Sequence, residues 1–246
     1  MTTPGRTPKA AVLISQRIVQ EAQDAGLGPG DLLPSEKAMV EQYQIGRGTL
    51  REALRLLEFQ GVVTMKPGPR GGPVLQKPTA AFLSGAWVLL MQLNNAPLRS
   101  IFEARLTIEP VLTQVAAANI SPERLAEIGN TVEQMKSSLK GDRQLFLEAN
   151  KEFHDIIAWS TDNPLLGYLA DSLLEVTNNT IVGIDFPLAR RKATLAAHES
   201  IFKAMERGDS PASMTEMTDH IDDYLKYAEK KFPDIMGSVV RWDRSF

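Results

Sequence analysis

The sequence predicts a mostly α-helical protein in two parts: a small helical module with a short β-hairpin up to residue 78, then an antiparallel bundle of six or seven helices. Three observations carry this. Between Pro34 and Pro73, two short amphipathic segments flank a tight connection and run into a stretch rich in glycine and proline. From Thr79 to Lys231, apolar residues recur at helical spacing in segment after segment, with turn-forming residues between them. Strand signals are confined to the part before residue 78.

Taken in order, residues 1–8 are expected to be disordered. Val12, Leu13, Ile18 and Val19 suggest a first helix over Lys9 to Ala25, stopped near Gly26, Gly28 and Gly30, with Gly28 to Asp31 as the loop onward. Ser35 precedes a helix-forming run, where its hydroxyl can accept from an unpaired amide of the first turn. Ala38, Met39 and Gln42 or Tyr43 supply the inward side, and Gln44-Ile45-Gly46 makes a turn. In the next helix Leu50, Ala53, Leu54 and Leu57 form one stripe, while Arg47, Arg51 and Arg55 recur every four residues along another. Gly61 closes it. Val62-Val63-Thr64 suit a strand, Pro67 to Gly72 force a turn with Arg70 at its tip, and Val74-Leu75 return. Helix, turn, helix and hairpin together read as a winged helix-turn-helix.

Charge gives that shape a chemistry. An α-helix fits the major groove of B-DNA, and the arginine fork matches the two acceptors of guanine, so Arg47 and Arg51 are the candidate base readers. Thr49 suits a thymine methyl or a phosphate, Lys37 the backbone, and Arg70 the adjacent groove. The competing reading is a solvated helix face. Residues 1–77 hold 10 Lys/Arg and 7 Asp/Glu, net +3; against totals of 27 and 30, the rest holds 17 and 23, net −6. The excess is modest, and DNA binding depends on where the cations sit.

Gln76-Lys77-Pro78 is the connector, so residues 1–78 form the DNA-binding domain, 79–232 the helical domain and 233–246 a C-terminal tail. The bundle helices run Thr79 to Leu93, Leu98 to Asn119, Pro122 to Leu139, Arg143 to Ser160, Pro164 to Ile184, Pro187 to Arg207 and Pro211 to Lys231. There is no cysteine, which excludes disulfides and thiolate metal sites. Met1 to Gln16 has no apolar core of a secretory signal, and Ala80 to Leu93, broken by Ser84 and Gly85, is too short to span a bilayer. A cytoplasmic protein with no membrane partner is expected.

The run LPSEK, GRGTLREAL and LEFQGVV, over Leu33 to Val63, resembles the winged helix-turn-helix of the GntR family of bacterial transcription regulators. The resemblance implies DNA contacts at Lys37, Arg47, Thr49 and Arg51 and at a wing glycine, Gly71 or Gly72. Gly46 and Gly48 depart from the Ser, Thr or Asn usual there, which removes side-chain contacts to phosphate. Further on, EARLTIEP with Ala116-Ala117, NKEFHDII with DNPLL, AAHESIFKAMERGD and MTDHIDDYL resemble the FCD effector domain of the FadR-type branch. All three histidines, His154, His198 and His220, fall within these motifs on three different helices. Each alone suits a structural role, but imidazoles from neighbouring helices can converge on a divalent metal such as zinc, nickel, iron or manganese. In many FCD domains the matching histidines bind a metal together with an aspartate one turn before the first; here that place is Asn150, which offers a carbonyl oxygen and no charge. Arg105 is the candidate to meet a carboxylate effector, or else pairs with Glu109 one turn later.

The implied function is a ligand-responsive regulator, a repressor in the first instance, that binds a palindromic double-stranded DNA operator as a homodimer. Its effector is then a small, anionic carboxylate that can ligate such a metal. One alternative keeps the DNA role with a metal-free domain for a larger ligand such as an acyl-thioester. The other is a histidine-ligated metalloenzyme, for which no general base is singled out by spacing.

Overall fold

The computed structural model describes residues 9–68, 71–177, 184 and 186–241. It divides into two compact units, Met1–Phe82 and Leu83–Phe246.

In the first unit, α1 (Ala10–Asp24), α2 (Glu36–Tyr43) and α3 (Arg47–Phe59) pack around Ile14, Ile18, Met39, Leu50, Leu54 and Leu57. The Ser35 hydroxyl caps α2 by accepting from the Ala38 amide. Gln44 then takes the left-handed conformation, φ 54° and ψ 46°, which closes α2 and lets the chain re-enter a helix three residues later, at Arg47. On α3 the stripe Leu50, Ala53, Leu54 and Leu57 is buried, while Arg47, Arg51 and Arg55 are exposed. Gly48 lies within α3, and a Cβ added there would meet nothing within 4 Å. Gly48→Ala is therefore expected to stabilise the protein by about 0.5 kcal/mol, read as a higher Tm, because glycine loses more backbone entropy in a helix.

The wing is the antiparallel pair β1 (Val63–Lys66) and β2 (Gly72–Leu75), with Val63 opposite Leu75 and Lys66 opposite Gly72. At its turn the Gly71 amide donates to the Gly68 carbonyl, and a Cβ on Gly71 would lie 2.0 Å from the Lys66 carbonyl oxygen, so only glycine fits. Arg70, the expected tip cation, lies outside the described residues. One pairing was not legible beforehand. The segment read as a plain loop before α2 runs along β2: the Gly30 amide donates to Leu75, the Leu75 amide to Asp31 and the Leu33 amide to Pro73. Pro73 lacks an amide proton, yet its carbonyl is satisfied this way.

Among the described residues the second unit is mainly helical. The elements are α4 (Ala81–Leu93), α5 (Arg99–Asn119), α6 (Pro122–Ser138), α7 (Arg143–Trp159), α8 (Pro164–Thr177), α9 (Leu188–Glu206), α10 (Ser210–Lys231) and the short α11 (Pro233–Gly237). Their starts are capped by Ser121, Asp142 and Asp209, each accepting amides of the first turn. The expected helix from Pro164 is described only to Thr177, and Ile184 is not helical; residues 178–183 lie outside the described part. Within the stretch set apart as a tail, Met236 of α11 is buried and the Leu98 amide donates to Ser238.

Helix α5 is the axis of this unit. It packs along α10 and also against α7 and α8, while α6 covers α7 and α9. Phe146, Phe153, Ile128, Met135, Ile201 and Ile221 fill the main core. The buried stripe of α5 is not wholly apolar, since it includes Arg105 and Glu109 beside Phe102 and Leu112. That polar interruption positions the site.

Candidate functional site

Three helices each contribute one imidazole to a common point. His154 of α7, His198 of α9 and His220 of α10 are 3%, 0% and 6% exposed. Nε2 of His220 lies 3.2 Å from Nε2 of His198 and 3.4 Å from Nε2 of His154. Two imidazole nitrogens bound to one transition metal, each about 2.1 Å from it and spread at tetrahedral or octahedral angles, lie roughly 3.0–3.4 Å apart. The spacing therefore fits a shared cation.

Two of the three rings, His154 and His198, are oriented from behind. Nδ1 of His154 bonds the Glu109 carboxylate at 2.7 Å; because a carboxylate only accepts, the proton sits on Nδ1 and the Nε2 lone pair is left facing inward. The His198 ring stacks on Phe153 with centroids 4.0 Å apart, and its Nδ1 meets the Met135 sulfur at 3.2 Å. Burial, reinforced by the neighbouring positive groups, pushes His198 and His220 well below the ordinary imidazole pKa, so both are neutral metal-binding bases at physiological pH. His220 Nδ1 is buried with no partner.

Behind His154, Arg105 donates through Nε to Glu109 and through Nη1 to the Thr177 hydroxyl at 3.1 Å. Burial alone would raise the Glu109 pKa; attraction to Arg105 and His154 outweighs it and holds the carboxyl below the usual range. Arg105 borders a cavity of about 100 Å³ whose wall also includes Asn150, His154, Thr194, His220 and Tyr224. The Thr194 hydroxyl is buried without a partner. Tyr224 is pushed up to about 12 by burial, so it faces the cavity as a neutral phenol. Lys151, also on the wall, is occupied by Asp155, Asp171 and Glu175 at 2.6, 2.9 and 3.2 Å.

The fold thus gathers five residues singled out in the sequence, Arg105, Asn150, His154, His198 and His220, around one centre and its cavity. Arg105 has both features weighed for it, an ion pair with Glu109 and a place on the cavity wall. Thr194, Tyr224, Phe153 and Met135 were not foreseen; no local signal marks them, because their roles depend on which helices become neighbours. In the first unit Lys37, Arg47 and Arg51 are exposed and Thr49 is half-buried. Gly46 caps α3 without any side-chain acceptor. Arg51 bonds Glu36 of α2 through Nε at 3.2 Å.

Among the described residues no helix is long and apolar enough to cross a membrane. Residues 11–70 match the bacterial regulatory proteins of the gntR family, and residues 100–223 match the FCD domain. The chain is 31% identical over 222 residues to the HTH-type transcriptional regulator YcbG of Bacillus subtilis, covering 89% of this chain and 91% of that one. It is 26% identical over 218 residues to the galactonate operon transcriptional repressor of Escherichia coli, covering 86% and 91%. Streptococcus agalactiae GntR shares the fold with a TM-score of 0.73 at 21% identity, over 89% of this chain and 100% of that one. The chain belongs to the GntR family of bacterial regulatory proteins: it is a DNA-binding, ligand-responsive transcription regulator with an FCD effector domain, and not an enzyme.

Proposed function

We infer that this regulator acts in the cytoplasm as a homodimeric repressor whose 1–78 part reads a two-fold symmetric operator and whose 79–232 part takes a small anionic effector beside a divalent metal. Arg47 and Arg51 read bases, Lys37 and Thr49 meet the backbone, and Gly71 with Arg70 forms the wing contact. His154, His198 and His220 hold zinc, nickel or manganese, with the Asn150 carbonyl as a further oxygen. When bound, such a cation supplies a positive centre to which a carboxylate oxygen can ligate. Arg105 orients the rest of the anion, and the Thr194 hydroxyl and Tyr224 phenol offer it hydrogen bonds.

The observation that carries this reading is the convergence of three imidazole Nε2 atoms beside a cavity that also exposes a guanidinium. The volume of about 100 Å³ favours a small effector over an acyl-thioester, since drug-sized ligands occupy roughly 300–1,000 Å³. A relative named for the galactonate operon, and so for a small hydroxylated carboxylate, supports the same class and a repressing role. Effector control requires that the ligand bind DNA-competent and DNA-incompetent states with different affinity. Elemental analysis of tag-free protein, prepared without chelator beside His154→Ala and His220→Ala, tests the metal. Near-stoichiometric metal lost in both variants is expected; no metal after supplying zinc, nickel and manganese would sink the reading. Small carboxylates are then titrated calorimetrically into loaded and chelated protein, with binding expected only when loaded.

A further inference from the structure

We propose that Glu109 is a shared positioning residue, one buried carboxylate that orients both the metal ligand His154 and the anion-facing Arg105. The inference rests on the metal reading above. Glu109 is 4% exposed, and its carboxylate is shared: Oε1 accepts from Arg105 Nε, while Oε2 accepts from His154 Nδ1 at 2.7 Å and, more distantly, from Arg105 Nη2 at 3.5 Å. Since Glu109 and Arg105 are one turn apart on α5, the same backbone carries both. Pro110 follows Glu109 inside that helix and is itself buried.

The division of donors has a consequence. Arg105 has five N–H groups; Glu109 takes those on one edge, Thr177 accepts one from Nη1, and the rest of the guanidinium is left for the cavity. Glu109 therefore fixes Arg105 without using up its capacity to bind an anion. The carboxylate also fixes the His154 tautomer and makes Nε2 a stronger donor. The charges of Glu109 and Arg105 cancel, so the centre keeps the full positive charge of its cation toward the cavity, and an anionic ligand is favoured there. Removing either partner breaks the same buried ion pair but changes the field at the histidines in opposite directions.

That opposition is the test. Zinc affinity is measured by competition with a chromophoric chelator for wild type, Glu109→Gln and Arg105→Gln, with folding checked by circular dichroism. Glu109→Gln keeps the shape and is expected to bind zinc roughly 10–100-fold more weakly, the usual effect of losing an orienting partner behind a metal-bound histidine. Arg105→Gln, which removes a nearby cation and leaves Glu109 on His154, is expected to bind zinc as tightly as wild type or more so. A merely structural ion pair would weaken zinc binding in both variants alike, and that result would overturn the proposal, as would Glu109→Gln within threefold of wild type. If Arg105→Gln does not fold, the far-downfield proton signal of His154 Nδ1–H decides: it is expected in wild type and Glu109→Asp and lost in Glu109→Gln, and its persistence in Glu109→Gln refutes the assignment. Wild type without zinc affinity would instead count against the metal reading itself.

Discussion

Zinc should raise the melting temperature of the wild-type protein by roughly 8–15 °C, and His198→Ala should abolish the response. A cation that binds the folded chain alone stabilises it by RT ln(1 + [M]/Kd), about 4 kcal/mol when the metal is present at a thousand times its Kd. In a domain of this size each kcal/mol moves Tm by about 2–4 °C. The three Nε2 atoms come from α7, α9 and α10, with His220 22 residues from His198 and 66 from His154 in sequence, so a shared metal ties together side chains that the unfolded chain leaves apart. His198 is the most informative single replacement because it is 0% exposed and stacked on Phe153. His198→Ala should also lower the Tm of the metal-free protein, since the truncated ring leaves a cavity against Phe153. The two effects separate in calorimetry run with zinc and with chelator: packing loss appears in both traces, and metal linkage only in their difference. A wild-type Tm unmoved by zinc, nickel and manganese would rule out the centre.

Arg51→Ala and Arg47→Ala should each cost about 1–3 kcal/mol of operator binding and relax base preference at one position of each half-site. Both side chains are exposed on α3, outside its buried stripe. Arg51 is held by Glu36 through Nε, which leaves its Nη edge open to a guanine. Because that ion pair is largely exposed, it is worth at most about 1 kcal/mol and does not outweigh a bidentate base contact. Glu36 is thus expected to aim Arg51 without sequestering it. Lys37→Ala gives the contrasting control: it should weaken binding to all duplexes alike and flatten the salt dependence by about one counterion, as expected for a phosphate contact. Titrations on operator and scrambled DNA at several salt concentrations distinguish the two patterns. If both arginine variants bind the operator like wild type, α3 is not the reading helix.

Much of the architecture was legible because it is local. The Leu50 stripe, the Ser35 cap and the turn residues before Pro122, Arg143 and Ser210 act within one or two helical turns, so sequence spacing reports them directly. The five-residue α11 escaped because it is shorter than two turns and sustains no period, and the pairing of 30–33 with β2 escaped because its partners are some forty residues apart in sequence. At the site, the histidines stood out by rarity and motif. Arg105 and Glu109 were legible as an i, i+4 pair, but nothing in their spacing tells whether they lie on the surface or at the centre.

The sequence by itself determined that this chain carries an Arg-faced helix ahead of a glycine-bound wing, a helical second unit, and three histidines on three of its helices; each follows from side-chain type and short-range periodicity. Only the tertiary structure decided that the three Nε2 atoms meet, that Glu109 shares its carboxylate between His154 and Arg105, and that Thr194 and Tyr224 border the same cavity. The physical reason is that burying α5 against α7, α8 and α10 removes water from around Arg105 and Glu109, and a buried charge must then find its partners within the protein.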